Sequence, residues 1–578
     1  MTSLVHKPRR RNQRTQNTDS QPHNGSYLMK NQRSRHRFVN EQFTRCIRLA
    51  WVGRSTALLA ILSLPACGWF PAVNLAPKYE PPQYVVPDSW KGASPFVVAK
   101  PSDEALRPDW WKLYEDPALD RLIDQAMAAN PDLHAAAERF VQARDIMMAT
   151  RSEYFPRIGL EMGASHRRQS FDRIFRPENS PLQSSTVEPG GIASWEPDFW
   201  SRLRNAAQAE IYRAEERAAE YGLARLSLQA EIAGNYFAIR GFDAQTAIYK
   251  QSIDLYKDTL NVVKTQFAGK IASALDVARV ESLLYGTESK LARIEGQRQV
   301  AEQAIAVLIN LSPDSFKLDP VDELRVAKFG IPNTLPSTLL ERRPDIAMME
   351  RRMAEANRVI GIARAAFFPN VSFRLSGGFE EKGLDLIKIA NSFWSYGAVF
   401  ELPLFQSGYR RAQLQQSWSA YRETEDLYRM TVLKAFREVA NNLTMTNRLT
   451  VAAERQDATV GANFKTQNLT MQLYRGGLAN SLEVIYAQLA TLEARISSVE
   501  VKTELLKSSV ELVRAFGGGW NRDQLPTDDQ IQPFGLFQYS DLDKPKPVGG
   551  IDVNVGEAAK PYNDLTAPKA PPTSGSNP

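Results

Sequence analysis

Two stretches of the chain carry the same pattern: ARDIMMATRSEYFPRIGLEMGAS at 143–165 and ANRVIGIARAAFFPNVSFRLSGG at 356–378. Phe155-Pro156 in the first aligns with Phe368-Pro369 in the second, 213 residues later. The helix-like part of each stretch ends at Phe-Pro, because proline cannot donate to the helical ladder and disfavours helix in the residue before it. The sequence therefore predicts a helix followed by a strand, and it predicts this unit twice.

The residues after each Phe-Pro pair alternate between apolar and polar. Successive side chains of a strand point to opposite faces, so a period of two predicts one apolar face and one polar face. A return strand rich in aromatic residues follows in each copy, at about 189–199 and 391–402. The alternating apolar positions are Ile158, Leu160, Met162 and Ala164 in the first copy and Val371, Phe373 and Leu375 in the second.

The similarity between the two halves extends beyond the strands. WEPDFWSRLR at 195–204 resembles FELPLFQSGYR at 400–410, and FAGKIASALDV at 267–277 resembles YRGGLANSLEV at 474–484, 207 residues later. Units of about 210 residues are far longer than solenoid repeats, so the pattern indicates duplication of a whole fold. The predicted boundaries are a first repeat at 116–312, a linker at 313–336 and a second repeat at 337–519.

Each unit continues into a long segment without proline, at 198–312 and 404–525. Apolar residues recur there every three or four positions, which is typical of helices that pack as in a coiled coil. A helix over 201–266 would be about 100 Å long. We expect two shorter helices, an opening helix at 116–154 and a return helix at 275–310, to lie end to end along it.

Four strands with one apolar face do not suit a soluble core. In lipid, an open sheet edge leaves backbone groups unpaired, and the smallest outer-membrane barrels have about eight strands. We therefore predict a mainly α protein with a small β part, in which a trimer completes a 12-stranded transmembrane β-barrel with a polar lumen. The helices of the three copies would form a second tube. The alternative is a soluble coiled-coil scaffold with a small sheet.

The N-terminal segment has the features of a targeting signal. Arg45, Arg48 and Arg54 precede an apolar run at 55–66, which is too short to span a bilayer. The run ends in LSLPACGW at 63–70, in which Leu-Pro-Ala-Cys resembles the lipobox of bacterial lipoproteins. We predict that 1–66 is removed, that Cys67 carries lipid, and that 67–115 is an extended lipid-anchored segment. Residues 1–28 are long for a signal, so Met29 is an alternative start.

Charge and cysteine usage exclude several function classes. The formal net charge is +6, but residues 1–66 contain 12 Lys or Arg and 2 Asp or Glu, which leaves −4 for the rest. The basic balance therefore does not indicate nucleic-acid binding. Without 1–66 the chain keeps Cys67 as its one cysteine, with His134 and His166 as its histidines. We predict no metal site, no catalytic constellation and no cofactor besides the covalent lipid on Cys67. Residues 520–578, rich in Pro and Gly, are predicted to be a disordered tail.

Several motifs together resemble one family. WWKLYEDPALDRLIDQAMAANPDLHAAAERFVQAR at 110–144, APKYEPP at 76–82 and LLERRPDIAMMERRMAEANRVIGIARAAFFPNVSF at 339–373 are similar to the outer-membrane factors of tripartite RND-type efflux systems, the OprM/NodT-like lipoprotein branch of the TolC superfamily. The resemblance implies a TolC-like homotrimer, lipid-anchored in the bacterial outer membrane and extending into the periplasm. It also implies a periplasmic adaptor protein and an inner-membrane RND transporter as partners. The outer-membrane duct of a type I protein-secretion system shares this architecture and is the alternative function.

The resemblance also assigns roles to two turns. Both match the periplasmic tips of such channels, and their glycines would allow left-handed turn geometry. Helix capping alone would also explain the acids at the helix starts, Asp276 and Glu483. The predicted adaptor-facing residues are Gly269, Leu275, Asp276, Val277, Gly476, Gly477, Leu482 and Val484, and the predicted pore constriction is formed by Glu483 and Tyr486.

The predicted constriction departs from the family pattern. Family members often have Leu-Asp-Ala-Gln here, with the Asp facing the closed pore, whereas this chain has Ile485-Tyr486-Ala487-Gln488. Leu489 stands where some relatives carry Arg. We hypothesise that a ring of Tyr486 side chains closes the pore by aromatic packing instead of by charge.

Overall fold

The computed structural model describes residues 72–80, 109–172, 181–326, 342–381 and 389–521. The predicted signal segment, Cys67 and almost all of the predicted tail lie outside these residues. Within the part that is described, the chain is mainly helical and has one four-stranded sheet. Among the described residues, none of the helices combines enough length with enough apolar character to cross a bilayer.

The first repeat contains four helices and two strands, in the order helix, helix, strand, strand, long helix, return helix. The long helix has 67 residues and the return helix has 35. At 1.5 Å per residue the long helix is about 100 Å long, as the sequence predicts. The elements are α1 (Pro117–Ala129), α2 (Pro131–Arg151), β1 (Arg157–Arg168), β2 (Gln183–Trp195), α3 (Arg202–Ala268) and α4 (Ala274–Leu308).

The second repeat follows the same order, except that one helix precedes its strands. Its long helix and return helix again have 67 and 35 residues. Each residue of α3 therefore has its equivalent 207 positions later, in the long helix of the second repeat. This equality confirms the predicted duplication. The elements are α5 (Pro344–Ala365), β3 (Asn370–Phe379), β4 (Ser392–Glu401), α6 (Tyr409–Arg475) and α7 (Ser481–Ala515).

The single opening helix predicted over 116–154 is wrong. Pro131 forces Asn130 out of helical geometry, to φ −68° and ψ 121°. Asn130 therefore ends α1 and caps α2, where its side chain accepts a hydrogen bond from Leu133 N at 3.0 Å. The sequence contained this signal, because Asn-Pro is typical of a helix boundary.

The strands pair antiparallel in the order β1-β2-β3-β4. β2 starts at Gln183, earlier than the 189–199 predicted for the return strand, and pairs with β1 from Gln183 to Ser194. The pairing of β2 with β3, which joins the two repeats, is shorter and runs from Gly190–Gly378 to Trp195–Phe373. Gly378 is needed there, since a Cβ on it would lie 2.3 Å from the Pro189 carbonyl oxygen.

The long helices carry shorter helices laid end to end, as predicted. α2 and α4 both pack along α3, and α5 and α7 both pack along α6. Equivalent residues hold the two joints. The Asn130 side chain donates to the Leu308 carbonyl at the end of α4 (2.9 Å), and Arg343, 213 residues later, donates to the Ala515 carbonyl at the end of α7 (2.9 Å).

The ends of the predicted domains differ in detail from the structure. Residues 110–114, predicted as part of an extended segment, form a short 3-10 helix whose Trp110 is fully buried in the core at the joints. Gly517, Gly518 and Gly519 all have positive φ and end α7. They turn the chain so that Trp520, predicted to begin the tail, is buried against α3 and α5.

A segment at 72–80 is held against both repeats near the sheet. Val73 N donates to the Phe199 carbonyl at 2.9 Å, and Arg364 donates to the Leu75 carbonyl at 3.0 Å. The Tyr79 hydroxyl donates to Glu350 at 2.7 Å. Burial raises the pKa of Tyr79 well above its usual range, so the hydroxyl stays protonated and keeps this hydrogen bond.

Candidate functional site: sheet faces and helical tips

The two faces of the sheet differ in chemistry along all four strands. The register places Leu160 opposite Gly191, Gly191 opposite Gly377, and Gly377 opposite Trp394. Leu160 is 94% exposed and Trp394 is 72% exposed. The face that they share is mainly apolar, which confirms the alternation predicted for β1 and β3. Its polar residues lie at the strand ends next to the strand–strand loops and are His166, Arg168, Gln183, Ser185 and Ser392. Its other residues are Ile158, Leu160, Met162, Ala164, Val187, Pro189, Gly191, Ala193, Trp195, Val371, Phe373, Leu375, Gly377, Phe379, Trp394, Tyr396, Ala398 and Phe400.

The opposite face of the sheet carries mainly polar residues and glycine, and its large apolar residues are Ile192, Phe393 and Val399. Glu161 lies opposite Gly190, and Arg374 lies opposite Ser194 and Gly397. A sheet with such faces suits one medium on each side, lipid on the apolar face and water on the polar face. The sheet is therefore suited to separate lipid from water, and it does not resemble one half of a sandwich whose apolar face is covered by a second sheet.

Every layer of the protomer is open at the same two edges. In the sheet, β1 and β4 are the outer strands. In the half of the helical layer next to the sheet the packing order is α2, α3, α5, α6. In the other half, which ends in the turns after α3 and α6, the order is α4, α3, α7, α6. One edge therefore consists of β1, α2 and α4, and the other consists of β4 and α6.

The two tips have the same backbone turn. At each tip the second residue after the helix takes positive φ, at Lys270 (57°) and Gly477 (74°). The next amide then donates back into the last helical turn, from Ile271 N to Gln266 O (2.8 Å) and from Leu478 N to Leu473 O (2.9 Å). This pattern is a Schellman motif.

The left-handed geometry predicted for the tip glycines is correct at one of three. Gly477 has it, but Gly269 has φ −76° and Gly476 has φ −81°. Both of these glycines are the C-cap residue, directly after the last helical residue, and the motif needs positive φ one residue later. In the first tip that residue is Lys270, and no local sequence signal marks a lysine for this geometry.

The predicted adaptor-facing residues divide into exposed and internal ones. Leu275 is 58% exposed, and Gly269, Gly476 and Gly477 are exposed as well. Asp276, Val277 and Leu482 are half-buried. Val484 is 3% exposed and lies inside the hairpin, so its side chain does not face a second protein. Two exposed apolar residues were missed, Ile271 at 81% and Leu478 at 80%.

Asp276 makes the contacts of a capping residue and also ties the two tips together. Its carboxylate accepts from Ser273 N (3.1 Å) and Ser273 Oγ (2.6 Å), and its amide donates to Ser273 Oγ, which forms a capping box. Ser481 Oγ, at the start of α7, donates to the same carboxylate at 3.0 Å. Helix capping is thus present at Asp276, and its adaptor-facing role stays a prediction.

A second tie joins the same two hairpins. The Tyr474 hydroxyl near the end of α6 donates to the Gln266 side-chain oxygen near the end of α3, at 2.9 Å. Together with Ser481 and Asp276 it connects the two repeats at the tips. These ties connect residues 205 and 208 positions apart, which is why the sequence pattern did not reveal them.

Glu483 and Tyr486 lie on one exposed stripe of α7. Tyr486 is 62% exposed, and Ile485 and Leu492 on the other side of the helix are buried in the core next to α3 and α4. The stripe continues with the same three- and four-residue spacing through Ala490 and Glu493. The structure thus places both predicted constriction residues on the face of α7 that its own protomer leaves uncovered.

The tie at Asp276 is expected to persist at mildly acidic pH. The hydrogen bonds from Ser273 and Ser481 lower the pKa of Asp276. A carboxylate with a lowered pKa keeps its stabilising contacts above the ordinary value of about 3.9, and loses them as the pH falls through the lowered value. The contribution of this tie to stability should therefore be the same at about pH 7 and at about pH 5, which the difference in unfolding temperature between the unaltered protein and Ser481→Ala measures at each pH.

The control for this prediction is Ser481→Ala, which removes the bond between the tips and leaves the capping box in place. We expect it to lower the unfolding temperature by the same amount at every pH in the range. A difference in unfolding temperature between the two proteins that disappears between pH 7 and pH 5 would contradict the stabilising role of this tie.

Among the residues that the structure describes, no group of three or more His, Cys, Asp or Glu side chains is placed to hold a metal ion. The clusters of charge on the helices consist of ion pairs between neighbouring helices. Lys250, Lys257 and Lys264 of α3, for example, pair in steps of seven residues with Glu295, Glu288 and Glu281 of α4. Such pairs are expected on the solvated faces of packed helices.

The sequence matches known proteins over most of its length. It matches the family described as outer membrane efflux protein at residues 122–311 and 335–518. It is 29% identical to the pyoverdine export outer membrane protein OpmQ of Pseudomonas aeruginosa, over 80% of this chain and 96% of that protein. It is also 29% identical to the outer membrane protein OprJ of the same species, over 81% of this chain and 96% of that protein.

The fold matches solved outer-membrane channels. The CmeC outer membrane channel of Campylobacter jejuni superimposes with a TM-score of 0.73 at 21% identity, covering 78% of this chain and 96% of that one. This likeness concerns the fold, and it confirms the predicted TolC-like class. With both repeats matched by one family model, the chain belongs to the outer membrane efflux protein family.

Proposed function

We propose that this chain is the outer-membrane duct of a tripartite RND-type export system, and that three copies form the duct. The observation that carries the proposal is that the sheet and both helical levels are open at the same two edges. Joining such edges head to tail gives a closed ring. Three copies supply twelve strands, with the apolar face towards lipid and the polar face lining a water-filled lumen.

In this arrangement the duct works passively. The polar face of the barrel and the exposed stripes of the helices supply a hydrated path for small solutes from the periplasm to the exterior. An inner-membrane RND transporter supplies the energy, and a periplasmic adaptor connects it to the tips. The exposed apolar residues Ile271, Leu275 and Leu478 are suited to this contact, since apolar side chains that remain exposed mark interaction surfaces.

The proposal includes the lipid anchor on Cys67. The lipobox-like sequence supports it, and so does the segment at 72–80, which follows Cys67 and binds near the sheet through Val73. Two or more acyl chains are enough for stable anchoring. The anchor and the barrel would then hold the same protein in the outer membrane.

Tyr486→Ala is expected to raise the open probability of the duct in planar bilayers. Three Tyr486 side chains, exposed on α7 in the single chain, would meet at the axis and close it by aromatic packing. Removing the rings leaves no apolar plug. We expect an increase of about tenfold in open probability, and a smaller increase for Tyr486→Phe, which keeps the ring. An unchanged open probability in Tyr486→Ala would count against the aromatic closure.

Export by living cells tests the function itself. A strain that lacks the gene should become more susceptible to small toxic compounds, and the cloned chain should restore resistance only when adaptor and RND pump are present. Secretion of a large protein that depends on this chain, with unchanged susceptibility to small compounds, would support the duct of a type I secretion system instead.

A further inference from the structure

The apolar face of the sheet changes its chemistry at one end of β1. Four apolar side chains, from Ile158 to Ala164, are followed on the same face by His166 and Arg168. Neighbours on one face of a strand lie about 7 Å apart, so Arg168 lies about 14 Å beyond Ala164. The whole of β1 is exposed, and both of these side chains are therefore open to whatever surrounds this face.

This end of β1 is the one far from the helices. β1 and β3 begin where α2 and α5 end, and β2 and β4 lead into α3 and α6, so the connections to the helices lie at the opposite end of the sheet. In the proposed duct the helices reach into the periplasm, which turns the far end of the sheet towards the exterior. His166 and Arg168 then lie at the outer leaflet of the membrane, an assignment that rests on the proposed function.

The polar side chains at this end are available to a ligand. Arg168 lies opposite Gln183 across the hairpin, and neither side chain has a partner in the part of the chain that the structure describes. His166 lies opposite Ser185, and the His166 Nδ1 shares a hydrogen bond with the Ser185 hydroxyl at 2.8 Å. That bond holds the ring and leaves its Nε2 available. A guanidinium, an amide, a hydroxyl and a ring nitrogen thus lie together on a patch two strands wide.

The carboxylate on the same face lies apart from this patch. Glu381 pairs with Val187, which places it two strands from β1, about 10 Å across the sheet and about 14 Å along it from Arg168. Its carboxylate accepts a hydrogen bond from Asn391. Asp172, in the turn after β1, forms no ion pair with Arg168 in the described part of the chain. The charge of Arg168 therefore has no counter-ion among the residues whose placement is described.

Within the described strands, the other end of the same face carries no charged residue. Its terminal residues are Ile158, Trp195, Val371 and Phe400, and the Trp195 indole donates to the Tyr154 carbonyl at 3.0 Å. Aromatic side chains are enriched at both membrane interfaces, whereas arginine favours a surface that carries negative charge. The face therefore suits a membrane whose two leaflets differ in their head groups.

We propose that the outer ends of β1 and β2 form a binding site for the phosphorylated head of an outer-leaflet glycolipid, lipopolysaccharide. The outer leaflet of a bacterial outer membrane consists of such glycolipids, whose acylated sugars carry phosphate groups. The planar guanidinium of Arg168 binds a phosphate through two parallel hydrogen bonds, and Gln183, Ser185 and His166 supply donors to the same head group. The acyl chains lie against the apolar residues of β1 that precede the site.

Reversal of one charge tests the site. Arg168→Glu should raise about tenfold the concentration of purified lipopolysaccharide that half-saturates the detergent-solubilised protein, because it replaces an attraction for phosphate by a repulsion. Arg167→Glu is the matched control. Arg167 is also exposed, but it lies opposite Ser184 on the polar face, so its reversal should leave the affinity unchanged. The rise in unfolding temperature with lipid concentration measures the binding, since a ligand of the folded state stabilises it.

Phosphatidylglycerol, which is anionic but has no phosphorylated sugar, tests the identity of the lipid. At the same phosphate concentration it should stabilise the unaltered protein less than lipopolysaccharide does. Equal stabilisation by the two lipids, or the same affinity for lipopolysaccharide in Arg168→Glu and Arg167→Glu, would overturn the site. If the unaltered protein nevertheless forms conducting trimers, the proposed duct stands. A single subunit that conducts no ions would overturn the duct, and the orientation of this face with it.

Discussion

Leu160→Arg is expected to abolish insertion of the protein into the outer membrane. Leu160 is 94% exposed at the middle of the apolar face of β1, where the account places lipid. An arginine near the bilayer midplane of a barrel costs about 2–4 kcal/mol, and a trimer of the variant contains three such arginines. Membrane fractionation should therefore find the variant outside the outer-membrane fraction, or find little of it at all.

The control lies one residue away. Glu161 is on the polar face of the same strand, opposite Gly190, so Glu161→Arg places the same side chain in the water-filled lumen. We expect normal insertion and an altered ion selectivity. If both variants inserted equally well, or if Glu161→Arg were the more damaging, the assignment of the two faces would be wrong.

Arg343→Ala is expected to destabilise the folded protein strongly. Arg343 is 7% exposed and joins three helices: it donates to the Ala515 carbonyl at the end of α7, to Asp345 at the start of α5, and to Glu438 of α6. Removing it leaves the buried Ala515 carbonyl without its donor and the partly exposed Asp345 and Glu438 without their counter-charge, which costs about 2–3 kcal/mol. Thermal unfolding in detergent, followed by circular dichroism, should begin at a clearly lower temperature.

Two control variants show whether the loss of stability is specific to Arg343 or follows from removing any arginine or any helix cap. Arg514→Ala removes a surface pair with Glu511 at the end of α7, and such pairs contribute at most about 1 kcal/mol. Asn130→Ala, at the equivalent joint of the first repeat, removes a neutral cap and should cost about 1–2 kcal/mol. Equal unfolding temperatures for Arg343→Ala and Arg514→Ala would contradict the role of Arg343 as a joint.

The features that the sequence predicts well are those with a short period or a long repeat. The alternation at 158–164 marks a strand because each residue has a fixed direction relative to the next. The length of α3 follows from the absence of proline over 198–312, and the duplication follows from matching Phe155-Pro156 with Phe368-Pro369. These signals are visible in the sequence itself, so predicting from them does not require knowledge of how the helices pack.

The features that it predicts poorly depend on residues far apart in the chain. The tie between Ser481 and Asp276 exists because two hairpins from different repeats lie side by side. The burial of Val484 depends on the packing of α7 against its neighbours, whereas Tyr486, two residues later, stays exposed. Asn130 is a different case, since Asn-Pro at 130–131 was available as a signal for a break in the opening helix.

The number of copies in the particle tests the central claim most directly. The protein, purified in detergent, should have the protein mass of three chains by light scattering, and it should conduct ions after transfer to a planar bilayer. Twelve strands are then available to close the barrel. A stable particle with the mass of one chain, silent in the bilayer, would contradict the account, because a sheet of four strands cannot close on itself.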